Sequence, residues 1–189
     1  MMIAPRPNFE YMTLKERYSK EIVPHLMKTL GEKNPMAVPA VKMVTVAVGI
    51  QSTQKDAKFI DTIEQTLTRI TGQKPVDTKA KKSVSGFKVR EGMVVGKRVT
   101  LRGERMWSFL AKLLTFTFPR ITDFRGISAK YIDSTGNLSV GFREYLSFPE
   151  IRPDEVERVH GLQIVVTTNA GTRERGLALF KELGFPFNS

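Results

Sequence analysis

Four groups of residues in this 189-residue chain have types that could do chemistry, and three of them fail on spacing. Gly92-Met-Val-Val-Gly96-Lys97-Arg98 comes nearest to a loop that cradles phosphate. Such a loop needs one more residue between its glycines, and a Ser or Thr after the Lys to hold magnesium; Arg98 stands in that place. The two histidines, His25 and His160, are far apart and lack carboxylates at metal-ligand spacing, so no metal site is expected. Asp154, Glu155 and Glu157 cluster, but after Pro153 they read as an exposed turn. Acid–base work needs a cleft that drives two carboxyl pKa values apart, so these read as structural or interaction acids. No serine sits in a Gly-x-Ser-x-Gly elbow, and there is no cysteine to serve as nucleophile or metal ligand. Neither a catalytic residue nor a cofactor is expected.

The fourth group is a run of cations. Lys+Arg number 30 against 19 Asp+Glu, for a net charge of +11. Between Lys74 and Arg105 stand ten cations and three acids, so this stretch alone carries +7. Such a run is usually a solvated face. Here the cations alternate with Gly86, Gly92, Gly96 and a lone ring, Phe87. Flexible backbone, cations and one aromatic suit a segment that tracks phosphates and stacks on bases. A folded chain this basic points to a polyanion partner, with nucleic acid the commonest. Hydrophobic residues at 41% and charged residues at 26% give an ordinary globular balance. The longest apolar stretch, around Val44–Ile50, is far short of the ~20 residues of a bilayer span. The N-terminus has neither a signal core nor a transit-peptide pattern. The absence of cysteine fits a reducing compartment.

Elements to position these residues are legible. Thr13-Leu-Lys-Glu16 predicts a capping box opening a helix with Leu14, Tyr18, Ile22, Leu26 and Leu30 on one face, stopping before Gly31. Pro24 should bend or interrupt it. Val38–Ile50 reads as a long strand and Lys55–Thr71 as an amphipathic helix ended by Gly72. A short strand around Pro75–Thr78 leads into the basic loop, and Lys97–Leu101 leads out. Glu104 to about Thr117 is a third helix carrying Met106, Trp107, Leu110, Leu113 and Leu114, closed by Pro119. Ser134-Thr-Gly-Asn137 predicts a hairpin turn between Lys130–Asp133 and Leu138–Phe142. Leu162–Thr168 is the last strand, and Thr172 caps a final helix that Gly184 stops. The expected class is α+β: a largely antiparallel sheet with helices packed on one face, the other face free for a partner, and a long basic loop. Residues 1–12 read as an N-terminal extension and 13–189 as a single domain containing the loop, 79–96.

Several blocks in unbroken order carry a family resemblance. They are Gly72-Gln-Lys-Pro75, Thr78-Lys-Ala-Lys-Lys-Ser83, Gly86-Phe87-Lys88-Val89-Arg90, Gly92-Met93 and Lys97-Arg98-Val-Thr-Leu-Arg-Gly-Glu-Arg105. Pro119-Arg120-Ile-Thr-Asp-Phe-Arg-Gly126, Phe148-Pro-Glu-Ile151 and Leu183-Gly-Phe-Pro-Phe187 follow. From Tyr11 to the C-terminus the chain resembles the bacterial-type large-subunit ribosomal protein L-five family, which binds 5S rRNA. The resemblance implies a non-catalytic constituent of the cytoplasmic ribosome, in the central protuberance of the large subunit, with no membrane partner. Its implied partners are 5S rRNA, large-subunit rRNA, peptidyl-site tRNA and a small-subunit head protein across a subunit bridge. Implied rRNA contacts are Gln73, Lys74, Phe87, Lys88, Arg90, Lys97, Thr100, Arg102 and Arg105, with Lys79, Lys81, Lys82 and Ser83 in the loop that meets tRNA. The residue types agree. Hydroxyl and amide groups suit ribose or base edges, Arg suits phosphate, and Phe87 suits an unpaired base. One departure stands out: Ala47 occupies the place of a polar, RNA-facing Asn in the family's first long strand. Gly and Lys content predicts a loop that is mobile until RNA orders it. A free-standing RNA-binding regulator and a phosphoryl-transfer enzyme built on Gly92–Lys97 are the competing classes.

Overall fold

In the computed structural model the described residues are 12–50, 57–122, 124–152 and 159–188. Residues 1–11 of the expected extension, Gln51, Lys55, Asp123 and the acidic group Asp154, Glu155 and Glu157 lie outside them. The capping box forms: Thr13 Oγ1 accepts from Glu16 N–H, and the Glu16 carboxylate accepts from Thr13 N–H. It opens α1 (Leu14–Arg17), which continues through a π-helical turn, Tyr18–Ile22, into α2 (Val23–Leu30). Pro24 therefore widens the helix instead of breaking it. Having no N–H, it cannot serve the preceding turn, and Val23 N–H reaches back five residues to Tyr18 O. Gly31 ends α2 in the left-handed region, at φ 68°.

Five strands form one sheet in the order β2-β3-β1-β5-β4, and every neighbouring pair is antiparallel. They are β1 (Val41–Gly49), β2 (Val76–Lys79), β3 (Val94–Leu101), β4 (Leu138–Phe142) and β5 (Leu162–Thr168). Alternation along them separates two faces. Val44, Val46 and Val48 of β1, Val99 and Leu101 of β3, and Ile164 and Val166 of β5 are buried. Each such side chain stabilises the fold by about 1.5–3 kcal/mol. The cover is α3 (Ala57–Thr71), set against β3, and α4 (Gly103–Lys112), set against β1. Phe59, Ile63, Leu67 and Ile70 of α3 point in, as the spacing predicts, while Ile60 is only half-buried. On α4 the buried set includes Phe109, which the expected list lacked, and Trp107 is half-buried against Tyr18. A π-helical turn, Leu113–Thr117, and a 3-10 turn at Pro119 close that helix. The remaining helix is α5 (Arg173–Leu183), capped by Thr172 and stopped at Gly184.

The expected hairpin before β4 is a different structure. Lys130–Asp133 is not a strand: Ala129–Tyr131 is a 3-10 turn, and one bridge, Ile132 to Leu138, is all the pairing that remains. The Asp133 carboxylate explains this. It accepts from the backbone N–H of Thr135 (3.0 Å) and Asn137 (2.7 Å) and from the Asn137 side-chain amide (2.9 Å), curling the chain about itself. Thr168 then fastens the curl to β5, donating its hydroxyl to Gly136 O at 2.8 Å.

Gly136, at φ +85°, meets α5 at Gly176, where an added Cβ would stand 2.6 Å from Gly136 Cα. Gly176→Ala should therefore cost about 1–3 kcal/mol of stability, read as a lower urea midpoint with an unchanged slope.

His160 is buried beside β5, stacked on Tyr145 with centroids 4.3 Å apart and edge-on to Phe59 at 6.2 Å. Burial pushes its pKa below 6.5, outweighing the opposite pull of the Gly161 carbonyl. The unfolded chain thus takes up the proton first as pH falls, so this stability is present above the unfolded pKa and is lost below it. The urea midpoint should drop between about pH 7 and about pH 5.5. His160→Phe should flatten that part of the profile.

Candidate nucleic-acid interface

The pleat that buries Val99 and Leu101 turns Arg98, Thr100 and Arg102 to the side without helices. Cross-strand partners complete this open face. Thr100 lies opposite Thr45, which lies opposite Val165; Arg98 lies opposite Ala47, which lies opposite Gln163. At one end Arg102 donates to the Met43 sulfur at 3.3 Å, and Gln73 donates its amide to Thr100 O at 3.3 Å. Gln73, Thr100 and Arg102, brought together by the resemblance alone, do meet at one end of the sheet. Ala47 sits half-buried in its middle, between Arg98 and Gln163, and offers a methyl where the family pattern places an amide. A depression of about 500 Å³ opens there, floored by Gly49, Gly96 and Gly161.

The basic loop is a bonded ribbon. Ala80 N–H donates to Met93 O (2.8 Å) and Gly92 N–H to Ala80 O (3.0 Å). Farther out, Val84 and Val89 exchange both backbone bonds (2.9 and 3.2 Å), around a 3-10 turn at Ser85–Phe87. Lys88 closes the turn at φ 51°, in the left-handed region. Ser83 Oγ accepts from Glu91 N–H at 2.9 Å, so its hydroxyl still has a proton to donate outward. Lys79, Lys81, Lys82, Lys88 and Arg90 are all exposed, and none is in an ion pair among the described residues. Phe87 is 72% exposed at the tip, which makes it a ring available for stacking and not an anchor into the core.

Two expected contacts fall elsewhere. Lys97 is 5% exposed and faces the helix layer, because its parity in β3 is that of Val99 and Leu101. Its ammonium lies 2.6 Å from Glu64 of α3 and 2.9 Å from Asp77 of β2. Burial pulls its pKa down, but the hydrogen bonds to Glu64 and Asp77 prevail and hold it above the ordinary lysine value. The hydrogen bond from Lys97 holds the Glu64 carboxyl below its ordinary range. Lys97 is thus an internal cation, and Arg98, absent from the expected contacts, is the outward one. Its parity with Thr100 and Arg102 was the available signal. Lys74 is exposed, 3.5 Å from the second oxygen of Glu64. Arg105 lies on α4, in a cleft of about 430 Å³ with Arg69, Ser108 and Lys112, apart from the open face.

Among the described residues no group of three or more His, Asp and Glu could hold a metal, and no helix is long and apolar enough to cross a membrane. The arrangement can bind without transforming: cations for phosphates, hydroxyls and amides for ribose and base edges, and one ring for a base.

The chain is similar to known proteins over most of its length. Residues 34–90 match the family model described as ribosomal protein L5, and residues 94–187 match the model of that family's C-terminus. The large ribosomal subunit protein uL5 of Halothermothrix orenii is 51% identical over 175 residues, covering 93% of this chain and 98% of its own length. The protein of the same name from Francisella tularensis subsp. novicida is 51% identical over 176 residues, with the same coverage.

Lys79→Ala, Lys81→Ala and Lys82→Ala together should weaken RNA binding and lower the slope of log K against log salt by about 2–3, with the melting temperature unchanged. A filter-binding salt series and a thermal melt measure both.

Proposed function

The chain belongs to the ribosomal protein L5 family, and on that premise we propose that it is a non-catalytic constituent of the large ribosomal subunit that binds 5S rRNA and helps hold it in the central protuberance. The open sheet face and the ribbon divide the work. Gln73, Thr100, Arg102 and Arg98 engage rRNA, while Lys79, Lys81, Lys82 and Ser83 on the ribbon meet peptidyl-site tRNA. A small-subunit head protein meets the chain across a subunit bridge.

The observation that carries this reading is the imbalance between the two sheet faces. Among the described residues, the helix-covered side neutralises its one buried cation, Lys97, with two carboxylates, while Arg98 and the ribbon lysines face solvent without acid partners. Unpaired cations in fixed positions stabilise a phosphate backbone and do little for the fold itself. The phosphoryl-transfer alternative loses its central group. Lys97 would have to reach a phosphate, yet its ammonium is turned inward, and Gly96 is a rung of the β1–β3 ladder. Magnesium and ATP should accordingly give a flat calorimetric titration.

The decisive measurement is competition at equal salt. 5S rRNA should displace an unrelated RNA of the same length by at least tenfold in affinity, with the steep salt dependence of counterion release. The protein should also co-sediment with large subunits in moderate salt. Equal affinity for the two RNAs would sink the 5S reading.

A further inference from the structure

We infer that Lys97 is a positioning residue: through Glu64 and Asp77 it fixes the direction in which the ribbon leaves the sheet. The inference rests on the RNA-binding reading above, and it concerns a residue that does not itself touch RNA. Among the described residues the backbone pairing that joins the ribbon to the body runs between β3 and β1. Among the described residues β2 pairs only with β3, so the β2–β3 hydrogen bonds hold the hairpin together without aiming it. The ladder from β3 to β1 ends at Gly96 opposite Gly49, and Ile50 N–H to Val95 O is the last bond beyond it. The segment from Val94 back to Lys79 projects past that line, and bonds such as Ala80 N–H to Met93 O and Val84 N–H to Val89 O hold its two arms together. A hairpin hinged along one such line can swing toward or away from the helix layer.

Lys97 stands one residue from the hinge and supplies a fixed point. Its ammonium ties three elements that are separate in sequence: β3, which carries it, α3 through Glu64, and β2 through Asp77. The lysine is 5% exposed, so water competes poorly for these contacts. Lys74, just before β2, reaches the other oxygen of Glu64 at 3.5 Å and brings the same helix residue to the hairpin's second arm. The tie also removes an electrostatic obstacle. Glu64 and Asp77 sit at the root of a surface built for phosphates, and Lys97 occupies both carboxylates.

The absence of cysteine allows a direct test in the full chain. Nitroxide labels at Ser85→Cys on the ribbon and Ser108→Cys on α4 report the angle as a distance distribution by pulsed electron–electron resonance. Lys97→Met should broaden a narrow distribution and lower affinity for 5S rRNA more than tenfold, and Lys97→Arg should restore both. If Lys97→Met does not melt cooperatively, Glu64→Gln cuts the tie to α3, the one that leaves the hairpin, and should broaden the distribution in the same way. A distribution as narrow as the parent's in the folded variant overturns the inference. So does weaker binding with an unchanged distribution and a salt slope lower by about one, the mark of a direct phosphate contact. If the parent chain does not prefer 5S rRNA, the functional reading fails, while the distance measurement still decides whether Lys97 aims the ribbon.

Discussion

The pleat of β3 sends Lys97, Val99 and Leu101 under the helices and Arg98, Thr100 and Arg102 to the open side, and most of the molecule's chemistry descends from that division. Register in a half-buried strand is fixed by hydrophobic burial, because a slip of one residue would exchange the two faces completely. Val99 and Leu101, at 1% and 0% exposed opposite Val46 and Val44, hold the register. The cations outside are therefore placed by the valines and leucines inside. A surface that binds a polyanion needs like charges held near one another, which is unfavourable in isolation; the core supplies the constraint that keeps them there.

A second consequence concerns the one cation on the wrong side. Taking a lysine out of water is costly, and its attraction to a carboxylate often only offsets that cost. The Lys97–Glu64–Asp77 cluster is thus better understood as a geometric device than as a source of net stability. Apolar residues of similar volume could fill the space, but they would slide where the ion pairs specify partners and direction. The open face shows the opposite economy: its polar groups are few and spread over three strands, and Arg98 and Gln163 among them are exposed to solvent.

Much of the fold was legible in the sequence because its signals are local. The Thr13 box, the Gly31 and Gly184 stops, the whole of β5 and the inward set of α3 rest on contacts within a few residues, where side-chain type and spacing decide the outcome. The misreadings all required a partner distant in sequence or a competing side chain. Asp133 captured backbone donors that a hairpin would have used, so pattern alone predicted a strand that is absent. Lys97 and Arg98 are adjacent cations with equal claims by composition, and only the strand's register with β1 separates a buried tie from a surface group. The ribbon's pairing was hidden for the same reason. Gly and Lys content signals mobility, while the bonds joining Ala80 to Met93 and Val84 to Val89 belong to pairing.

The ribbon can be regarded as a lever. From Lys79 at its root to Phe87 at its tip the chain spans at most about 26 Å, at ~3.3 Å per extended residue. A rotation of about 10° at Gly96 would carry the tip through roughly 4–5 Å, more than the length of a hydrogen bond. The position of the tip is consequently decided at the fulcrum, by a few atoms far from it. The lysines at the far end are long and compliant, so their ammonium groups can absorb small displacements of their own. The angular tolerance of the pivot is the scarcer resource, and the backbone closes up there accordingly: an added Cβ on Gly96 would stand 2.6 Å from Val48 O.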